Sequence, residues 1–385
     1  MGEKMPKRWK KVKLGEVAEI KMGQSPKSEF YNTEGKGLPF LQGNRTFGYR
    51  YPKIDIYCSN PIKIADKGDI LFSVRAPVGD INIANQTICI GRGLAALKSK
   101  NDENLFLYYL LHYTKKEILN SEGGTVFGSI SKRDLESLEV LIPEDLNEQK
   151  AIAGVLSSFD DKIDLLHRQN KTLEEMAQTL FRKWFIEDAK EDWEEKPLGE
   201  LVTIKRGSSP RPIQNYLSNN GLKWLKISDI TNLNSPFIFD IKEHIKEEGL
   251  NKTVLLKSDS LILSNSATPG IPKILQMNSC IHDGWLYFPK SYFSNEFLYL
   301  LFLYIRPQLL MQGNGSIFTN LKTSILKEFV ITVPDKNSLA NFQIQVNPIF
   351  KKLLNNSKQI RTLERLRDTL LPKLMSGKIR MKYEG

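Results

Sequence analysis

The chain has 385 residues, of which 41% are hydrophobic and 26% charged, and its formal net charge is +11. This amount of apolar material is enough for two buried cores, which excludes a disordered or fibrous protein. The excess of positive charge favours an anionic partner, nucleic acid first and an acidic protein or a membrane surface second.

Apolar runs and cysteines indicate a cytoplasmic protein without membrane contact. The longest apolar run, residues 297–305, has about half the length that a membrane-spanning helix needs. The lysine-rich N-terminus lacks the apolar stretch of a signal peptide. Cys58, Cys89 and Cys280 cannot all pair, and two of them occupy equivalent places in apolar, strand-like runs. We therefore expect three reduced core cysteines and a cytoplasmic location.

A segment near the N-terminus is repeated in the middle of the chain without a gap. Residues 9–26 read WKKVKLGEVAEIKMGQSP, and residues 193–210 read WEEKPLGELVTIKRGSSP. Later positions correspond in the same order, with small shifts where loops differ in length. The period is far longer than that of a solenoid, so we expect two homologous domains related by a pseudo-twofold axis.

Each half begins with a mixed α/β domain, predicted over residues 1–145 and 192–335. Short apolar segments between turn residues predict strands at 70–74, 87–90 and 138–142, and again near 260–263, 279–281 and 329–333. A helix is predicted inside each set, over 103–119 and 295–311. The fold class is therefore mixed α/β, occurring twice.

A long helix of coiled-coil type is predicted after each domain, within residues 146–191 and 336–385. Apolar residues return at heptad spacing, interrupted by Asn170, Asn356 and Arg367. An isolated stripe of this kind is usually plain core, but its recurrence indicates two antiparallel helices that separate the domains. At 1.5 Å per residue, such a helix forms a rod of roughly 50 Å. The residues expected to pack helix against helix are Leu156, Phe159, Ile163, Leu166, Leu173, Leu180, Leu353, Ile360, Leu363, Leu370 and Leu374.

Trp184 and Phe185 lie near the end of the first helix. They either extend its core or contact a partner, and the sequence leaves both interpretations open.

Taken together, these features resemble the specificity subunit of type I restriction-modification systems. The resemblance rests on the paired L-G-E-x-x-x-I-K-x-G-x-S-P openings and on D-x-L strand starts at Asp69 and Asp259. It also includes the small-residue turns at 123–125 and 313–316 and the helices after Pro143 and Pro334. The duplication of all these features in one order extends the resemblance over essentially the whole chain.

The resemblance implies a DNA-recognition subunit with no active site of its own. Each domain would read one half of an asymmetric bipartite target in double-stranded DNA. The helices would set the spacer and dock two adenine-N6 methyltransferase subunits, and two nuclease-translocase subunits would complete the assembly. S-adenosylmethionine, ATP and Mg²⁺ would be bound by those partners and no cofactor by this chain.

The sequence agrees with a chain that has neither a catalytic nor a metal site. It contains no GxxxxGK[ST] phosphate loop, no glycine-rich dinucleotide fingerprint and no HExxH motif. Its four histidines are scattered and lack metal-ligand spacing.

Candidates for reading bases are positions that correspond between the halves but differ in chemistry. Two domains of one fold with different half-sites must diverge where their side chains meet base edges. The alternative interpretation is ordinary solvated loop residues. The candidates are Gln42, Asn44, Arg45, Ser73, Arg75 and Arg92 in the first half, and Lys226, Ser228, Asp229, Asn265 and Asp283 in the second.

Positions with shared chemistry are candidates for phosphate contacts, which position a protein on DNA without reading sequence. They combine cations, hydroxyl groups and accessible N–H groups in turns. Turn formation and helix capping are the alternative, and both roles can hold at once; Asp69 and Asp259 are better explained as turn residues. The candidates are Lys21, Gln24, Ser25, Thr125, Ser129, Lys132, Arg133, Lys205, Ser208, Ser209, Asn314, Ser316, Thr319 and Lys322. Arg206, next to Lys205, is a further DNA-binding candidate.

A second class of function stays open from the sequence. A coiled-coil scaffold or adaptor would bind proteins through its two domains, and its positive charge would be incidental. Sequence-specific binding to a split DNA target that weakens steeply with salt would distinguish the first class from the second.

Overall fold

The computed structural model describes residues 6–120, 129–231, 233–311 and 320–381. The chain divides into two compact units, residues 1–166 together with 359–385, and residues 167–358. Each unit contains one α/β domain and parts of both long helices. Residues 359–381 therefore belong to the same unit as residues 6–166.

The described part of the first α/β domain, which lacks residues 121–128, consists of short strands and three helices. Its strands in chain order are β1 (Trp9–Lys13), β2 (Ala18–Met22), β3 (Tyr31–Asn32), β4 (Leu38–Leu41), β5 (Tyr57–Cys58), β6 (Ile64–Ala65), β7 (Ile70–Ser73), β8 (Ile81–Ile83), β9 (Ile88–Ile90), β10 (Leu94–Ser99) and β11 (Glu139–Pro143). Its helices are α1 (Leu14–Val17), α2 (Asn104–Asn120) and α3 (Lys132–Ser137), with 3₁₀ turns at Ser28–Phe30 and Asn44–Thr46. The long helix α4 (Leu146–Arg182) follows.

The second α/β domain contains the corresponding elements. Its strands are β12 (Glu195–Pro197), β13 (Val202–Arg206), β14 (Leu217–Ser218), β15 (Leu222–Leu225), β16 (Phe237–Ile238), β17 (His244–Ile245), β18 (Val254–Leu256), β19 (Leu261–Ser264), β20 (Pro272–Leu275), β21 (Ser279–Ile281), β22 (Trp285–Ser291) and β23 (Val330–Thr332). Its helices are α5 (Leu198–Leu201), α6 (Asn295–Met311) and α7 (Thr323–Glu328), with 3₁₀ turns at Ile213–Asn215, Ile227–Asp229 and Glu247–Lys252. The long helix α8 (Lys336–Met375) follows.

The two domains share one strand topology except for β16, which adds a fifth strand beside β20 in the second domain. In the first, the sheets have the orders β2-β10-β7-β8 and β3-β5-β4-β9-β6, and β1 pairs with β11. In the second, the orders are β13-β22-β19-β20-β16 and β14-β17-β15-β21-β18, and β12 pairs with β23. The predicted mixed α/β class is confirmed. The sequence pattern missed strands such as β3 because a two-residue strand is too short to show alternation.

The three cysteines are buried and unpaired, as expected of core residues. Cys89 on β9 and Cys280 on β21 occupy equivalent strands, and burial raises the pKa of each thiol to about 11. Within the described ranges, no helix has the length and apolarity that a membrane span requires.

Both long helices begin at an aspartate that caps their first turn. The Asn147 N–H donates to Asp145 Oδ1 at 2.9 Å, and the Ser338 N–H donates to Asp335 Oδ1 at 2.8 Å. Such caps satisfy N–H groups that have no partner inside the helix. The helix α4 ends in a π-helical turn at Lys183–Glu187, and α8 ends before Gly377, whose φ of 68° suits a helix terminus.

Inside each unit, the segments of α4 and α8 run antiparallel and bury their predicted apolar face. In the first unit, Leu156 shares the main core with Leu370 and Leu374, while Ile163 and Leu166 pack with Ile360 and Leu363. In the second unit, Leu173, Leu180 and Leu353 pack in one core. Phe159 is only half-buried.

The buried stripe of α4 departs from a strict heptad. Asp160 is buried where the heptad expects Phe159, and Phe181 and Phe185 are buried beside the expected positions 180 and 184. A straight helix has 3.6 residues per turn, so its buried face drifts against a seven-residue repeat. Phe185 belongs to an aromatic core, with its ring centroid 4.8 Å from that of Phe342.

One buried polar network in the first unit connects both long helices to the α/β domain. Asp160 is 2% exposed and accepts hydrogen bonds from Tyr49 Oη at 2.8 Å, Tyr109 Oη at 2.7 Å and Arg367 Nη1 at 2.7 Å. A buried carboxylate is costly unless it is paired in this way. Arg367, a polar break in the predicted heptad, is therefore a partner for Asp160.

Replacing Asp160 tests the importance of this network. Asp160→Ala removes the buried acceptor that Arg367, Tyr49 and Tyr109 share and leaves Arg367 with its bonds to Tyr49 and to exposed Asp368, so we expect a loss of about 3 kcal/mol in unfolding free energy. Chemical denaturation of the full chain measures this loss. Lys162→Ala, at an exposed position of α4 in the same unit, should cost less than about 0.5 kcal/mol. An Asp160→Ala loss as small as that of the control would contradict the assignment.

The pH dependence of stability tests a neighbouring group. Burial lowers the pKa of His112 to about 4, and its Nε2 has no hydrogen-bond partner among the described residues. Between about pH 6.5 and 4 the unfolded chain binds a proton that the folded chain does not, so stability is full above 6.5 and falls on acidification. His112→Phe should remove on the order of 2 kcal/mol of this acid-induced loss. Equal pH profiles for the wild type and His112→Phe would refute the assignment.

Candidate nucleic-acid interface

The first site lies where three strands of the first domain end. The parallel strands β4 and β9 finish at the same edge, so the residues that follow them, Gln42 and Arg92, lie close together. Ser25 follows β2 and joins them: its hydroxyl donates to Gln42 Oε1 at 3.0 Å and accepts from the Arg92 N–H at 3.1 Å. The side chains of Gln42 and Arg92 are exposed. We call Ser25, Gln42 and Arg92 the first site.

The second domain brings the corresponding residues together in the same way. The parallel strands β15 and β21 are followed by Lys226 and by Asp283, and Ser209 follows β13. The Ser209 hydroxyl donates to Asp283 Oδ1 at 2.8 Å. Lys226 forms an ion pair with Glu243. We call Ser209, Lys226 and Asp283 the second site.

A shared glycine makes the close approach at each site possible. A Cβ at Gly23 would lie 2.2 Å from the Gly91 carbonyl oxygen, and a Cβ at Gly207 would lie 2.3 Å from the His282 carbonyl oxygen. Any side chain would separate the two backbone segments. Gly23 thus places Ser25 beside Arg92, which follows β9, and Gly207 places Ser209 beside Asp283, which follows β21.

An open pocket of about 690 Å³ adjoins the second site. Its walls include Trp224, Ile213 and His282, and Arg211 stands at its rim with the side chain exposed. Burial lowers the pKa of His282, so this ring is neutral near pH 7. The sequence interpretation missed Arg211 because it lies one position beyond the repeated opening, which ends at Pro210.

Asn44, Arg45 and Asp229 lie in 3₁₀ turns next to the sites and already have partners inside their domains. Asn44 Nδ2 donates to Asp80 Oδ2 at 2.7 Å, and Arg45 pairs with Asp55 at 2.6 Å on the exposed surface. Asp229 accepts from the Lys226 N–H at 2.8 Å. Arg45 remains accessible, whereas Asn44 and Asp229 stabilise their turns; Ser228 is exposed.

Two predicted base readers are buried and shape the loops instead. The Ser73 hydroxyl donates to the carbonyl oxygen of Pro77 at 2.6 Å, and Asn265 Nδ2 donates to the carbonyl oxygen of Asp283 at 3.2 Å. Neither side chain reaches solvent. The sequence could not separate these buried loop residues from their exposed neighbour Arg75.

The remaining candidates are distributed over the domain surfaces. Lys21 Nζ donates to the Ile64 carbonyl oxygen at 2.8 Å, and Lys132 lies 3.4 Å from Glu136. Thr125, Asn314, Ser316 and Thr319 lie outside the described residues. The exposed or half-buried candidates at turns and strand ends are Gln24, Ser129, Arg133, Lys205, Arg206, Ser208 and Lys322.

Sequence reasoning also missed a residue that holds the loop beside each site. In the first domain, buried Asn82 on β8 donates to the Gly48 carbonyl oxygen at 3.1 Å and accepts from the Gly48 N–H at 3.2 Å. In the second, buried Lys273 on β20 donates to the carbonyl oxygens of Leu233 at 2.8 Å and Ser235 at 2.5 Å. Burial lowers the pKa of Lys273 to about 8. Strands β8 and β20 thus hold the loop beside each site with side chains of different chemistry.

Asn82→Ala tests this role in the first domain. It removes the side chain that bonds both backbone groups of Gly48, whose N–H then keeps the Tyr51 carbonyl oxygen at 3.1 Å, so we expect a loss of about 2 kcal/mol and faster hydrogen exchange at Gly48. Asn85→Ala, on the exposed turn after β8, is the matched control and should change neither quantity. Unaltered exchange at Gly48 in Asn82→Ala would show that another group holds the loop.

Chemically, both sites present hydrogen-bonding side chains and cations at the edge of a sheet. Among the described residues, no three His, Cys, Asp or Glu side chains form a group that could hold a metal ion. The arrangement suits recognition of an anionic ligand that displays donors and acceptors.

Comparison with known proteins identifies the family. The family model for the type I restriction modification DNA specificity domain matches residues 6–175 and 190–366. The putative MjaX specificity subunit of Methanocaldococcus jannaschii is 47% identical over 46% of this chain and 42% of that subunit. The MjaIX specificity subunit of the same organism is 27% identical over 98% of this chain and 95% of that subunit.

A solved structure shares the fold. The S subunit of a type I restriction-modification system from M. genitalium superposes with a TM-score of 0.61 at 19% identity, covering 98% of this chain and 97% of that one. The family model matches both halves of the sequence, each over its α/β domain and most of the helix that follows. The chain therefore belongs to the specificity subunits of type I restriction-modification systems.

Proposed function

We propose that each α/β domain reads one half of an asymmetric bipartite target in double-stranded DNA. The supporting observation is that two sites with the same backbone arrangement carry different side chains. Ser25, Gln42 and Arg92 offer mainly donors, while the second site places a carboxylate where the first has a guanidinium. Two readers of one fold and different specificity require such a difference.

The surrounding cations would bind phosphate groups and orient each domain on the duplex. The exposed groups Lys205, Lys132, Arg133 and Lys322 are suited to this task because phosphate contacts need charge and reach but no fixed pattern of donors. The net charge of +11 supports binding that weakens with salt.

The long helices would set the distance between the half-sites and dock the partner subunits. We propose that the chain is non-catalytic and assembles with two adenine-N6 methyltransferase subunits, which bind S-adenosylmethionine. Two nuclease-translocase subunits that use ATP and Mg²⁺ would join the full complex. This proposal rests on membership of the specificity-subunit family.

Selection from a random duplex library, with the chain alone and with its methyltransferase, tests the function. We expect one motif of two short blocks separated by unspecified bases, with affinity that falls steeply between 50 and 200 mM salt. Exchanging residues 10–145 for those of a relative should change one block only. Failure to enrich a two-block motif in either condition would favour a scaffold that binds proteins.

An insertion tests the spacer. The unit boundaries fall between residues 166 and 167 in α4 and between 358 and 359 in α8. Four residues inserted at both places keep the helix contacts inside each unit and add about 6 Å, so the spacer should lengthen by about two base pairs.

The base sequences of both half-sites should stay the same in the chain that carries both insertions. A chain with the insertion at the α8 boundary alone is the mismatched control. An altered half-site with an unchanged spacer would refute the role of the helices.

A further inference from the structure

The carboxylate of Asp283 in the second site faces cations of its own domain. Its Oδ2 lies 3.4 Å from Arg211 Nη2 and 3.9 Å from Arg206 Nη2, and Arg206 Nε donates to the Asp283 carbonyl oxygen at 2.5 Å. Its Oδ1 accepts from the Ser209 hydroxyl. The side chains of Arg206 and Arg211 are 54% and 81% exposed, whereas that of Asp283 is 39% exposed. The arginines therefore stand further into solvent than the acid between them.

The first site has the opposite arrangement of charge. The gap-free alignment of residues 9–26 with 193–210 places Met22 opposite Arg206, and Arg92 stands opposite Asp283. In the first domain, the neutral Met22 lies on β2 and the cation Arg92 follows β9. In the second domain, the cation Arg206 lies on β13 and the acid Asp283 follows β21. Both pairs carry at least one exposed guanidinium at the same edge.

An acid in this position is poorly suited to meet DNA itself. Phosphate groups repel a carboxylate, and both oxygens of Asp283 already have partners within the domain. A guanidinium held by a carboxylate is fixed in orientation, which favours bidentate contact with an acceptor pair. Guanine presents such a pair, N7 and O6, in the major groove.

We infer that Asp283 is a positioning residue, and that the Arg206 and Arg211 guanidiniums it holds are the donors that read a guanine in the second half-site. In the first half-site, Arg92 supplies the guanidinium from the other strand of the same edge. The inference rests on the proposed function and assigns the reading chemistry of each site. It replaces the expectation that Asp283 contacts a base directly.

Three variants of the full chain test this, in duplex selection with the methyltransferase present. Asp283→Asn and Arg206→Met should each lower discrimination at the guanine of the second half-site roughly tenfold. The double variant Arg206→Met with Asp283→Arg copies the Met22 and Arg92 pair and should return discrimination to within about threefold of the wild type. The first half-site is the internal control for folding, because none of these changes touches the first domain.

The outcomes separate the two proposals. If Asp283→Asn converts one base preference into another while Arg206→Met has no effect, Asp283 reads the base itself and the inference is overturned. A double variant that loses as much discrimination as Arg206→Met alone would overturn it as well, because a guanidinium at position 283 would then not replace the one at position 206. A wild-type chain that enriches no two-block motif would instead refute the proposed function.

Discussion

The parallel pairing of two short strands in each domain is the constraint on which both candidate sites depend. Because β4 with β9 and β15 with β21 end at a common edge, residues about fifty positions apart in the sequence become neighbours. Close backbone contacts at Gly23 and at Gly207 then bring Ser25 and Ser209 to the same edges. The geometry is supplied by backbone atoms, so the side chains at this edge are free to differ.

This separation of frame and side chains allows one fold to carry two chemically different sites. The frame is kept by apolar strands, by the glycine and by the capping aspartates of the long helices. Supporting contacts differ in chemistry but fulfil the same purpose, as Asn82 and Lys273 do for the loops beside the sites. A domain can therefore change the side chains at its site and retain its core.

The sequence was sufficient for the outline of the fold. Helices predicted over 103–119 and 295–311 are found at Asn104–Asn120 and Asn295–Met311, because long apolar segments with clear ends give a strong signal. The alignment also pointed to Gln42, Arg92, Lys226 and Asp283, which the structure brings to equivalent edges. It could not reveal the burial of Ser73 and Asn265, nor the partners of Asp160, because these depend on contacts between residues distant in sequence.

The first unit combines two segments that are distant in sequence, and this affects the order in which parts of the chain become stable during synthesis. Its core contains Trp9 near the beginning together with Leu374 and Met375 near the end, all of them buried. The N-terminal domain leaves the ribosome long before these last residues exist, and until then its apolar face toward the end of α8 stays uncovered. Contacts that span nearly the whole chain form slowly, since their loop-closure entropy is large. A shortened chain that ends before Leu374 would thus expose apolar surface in the domain made first, far in sequence from the truncation.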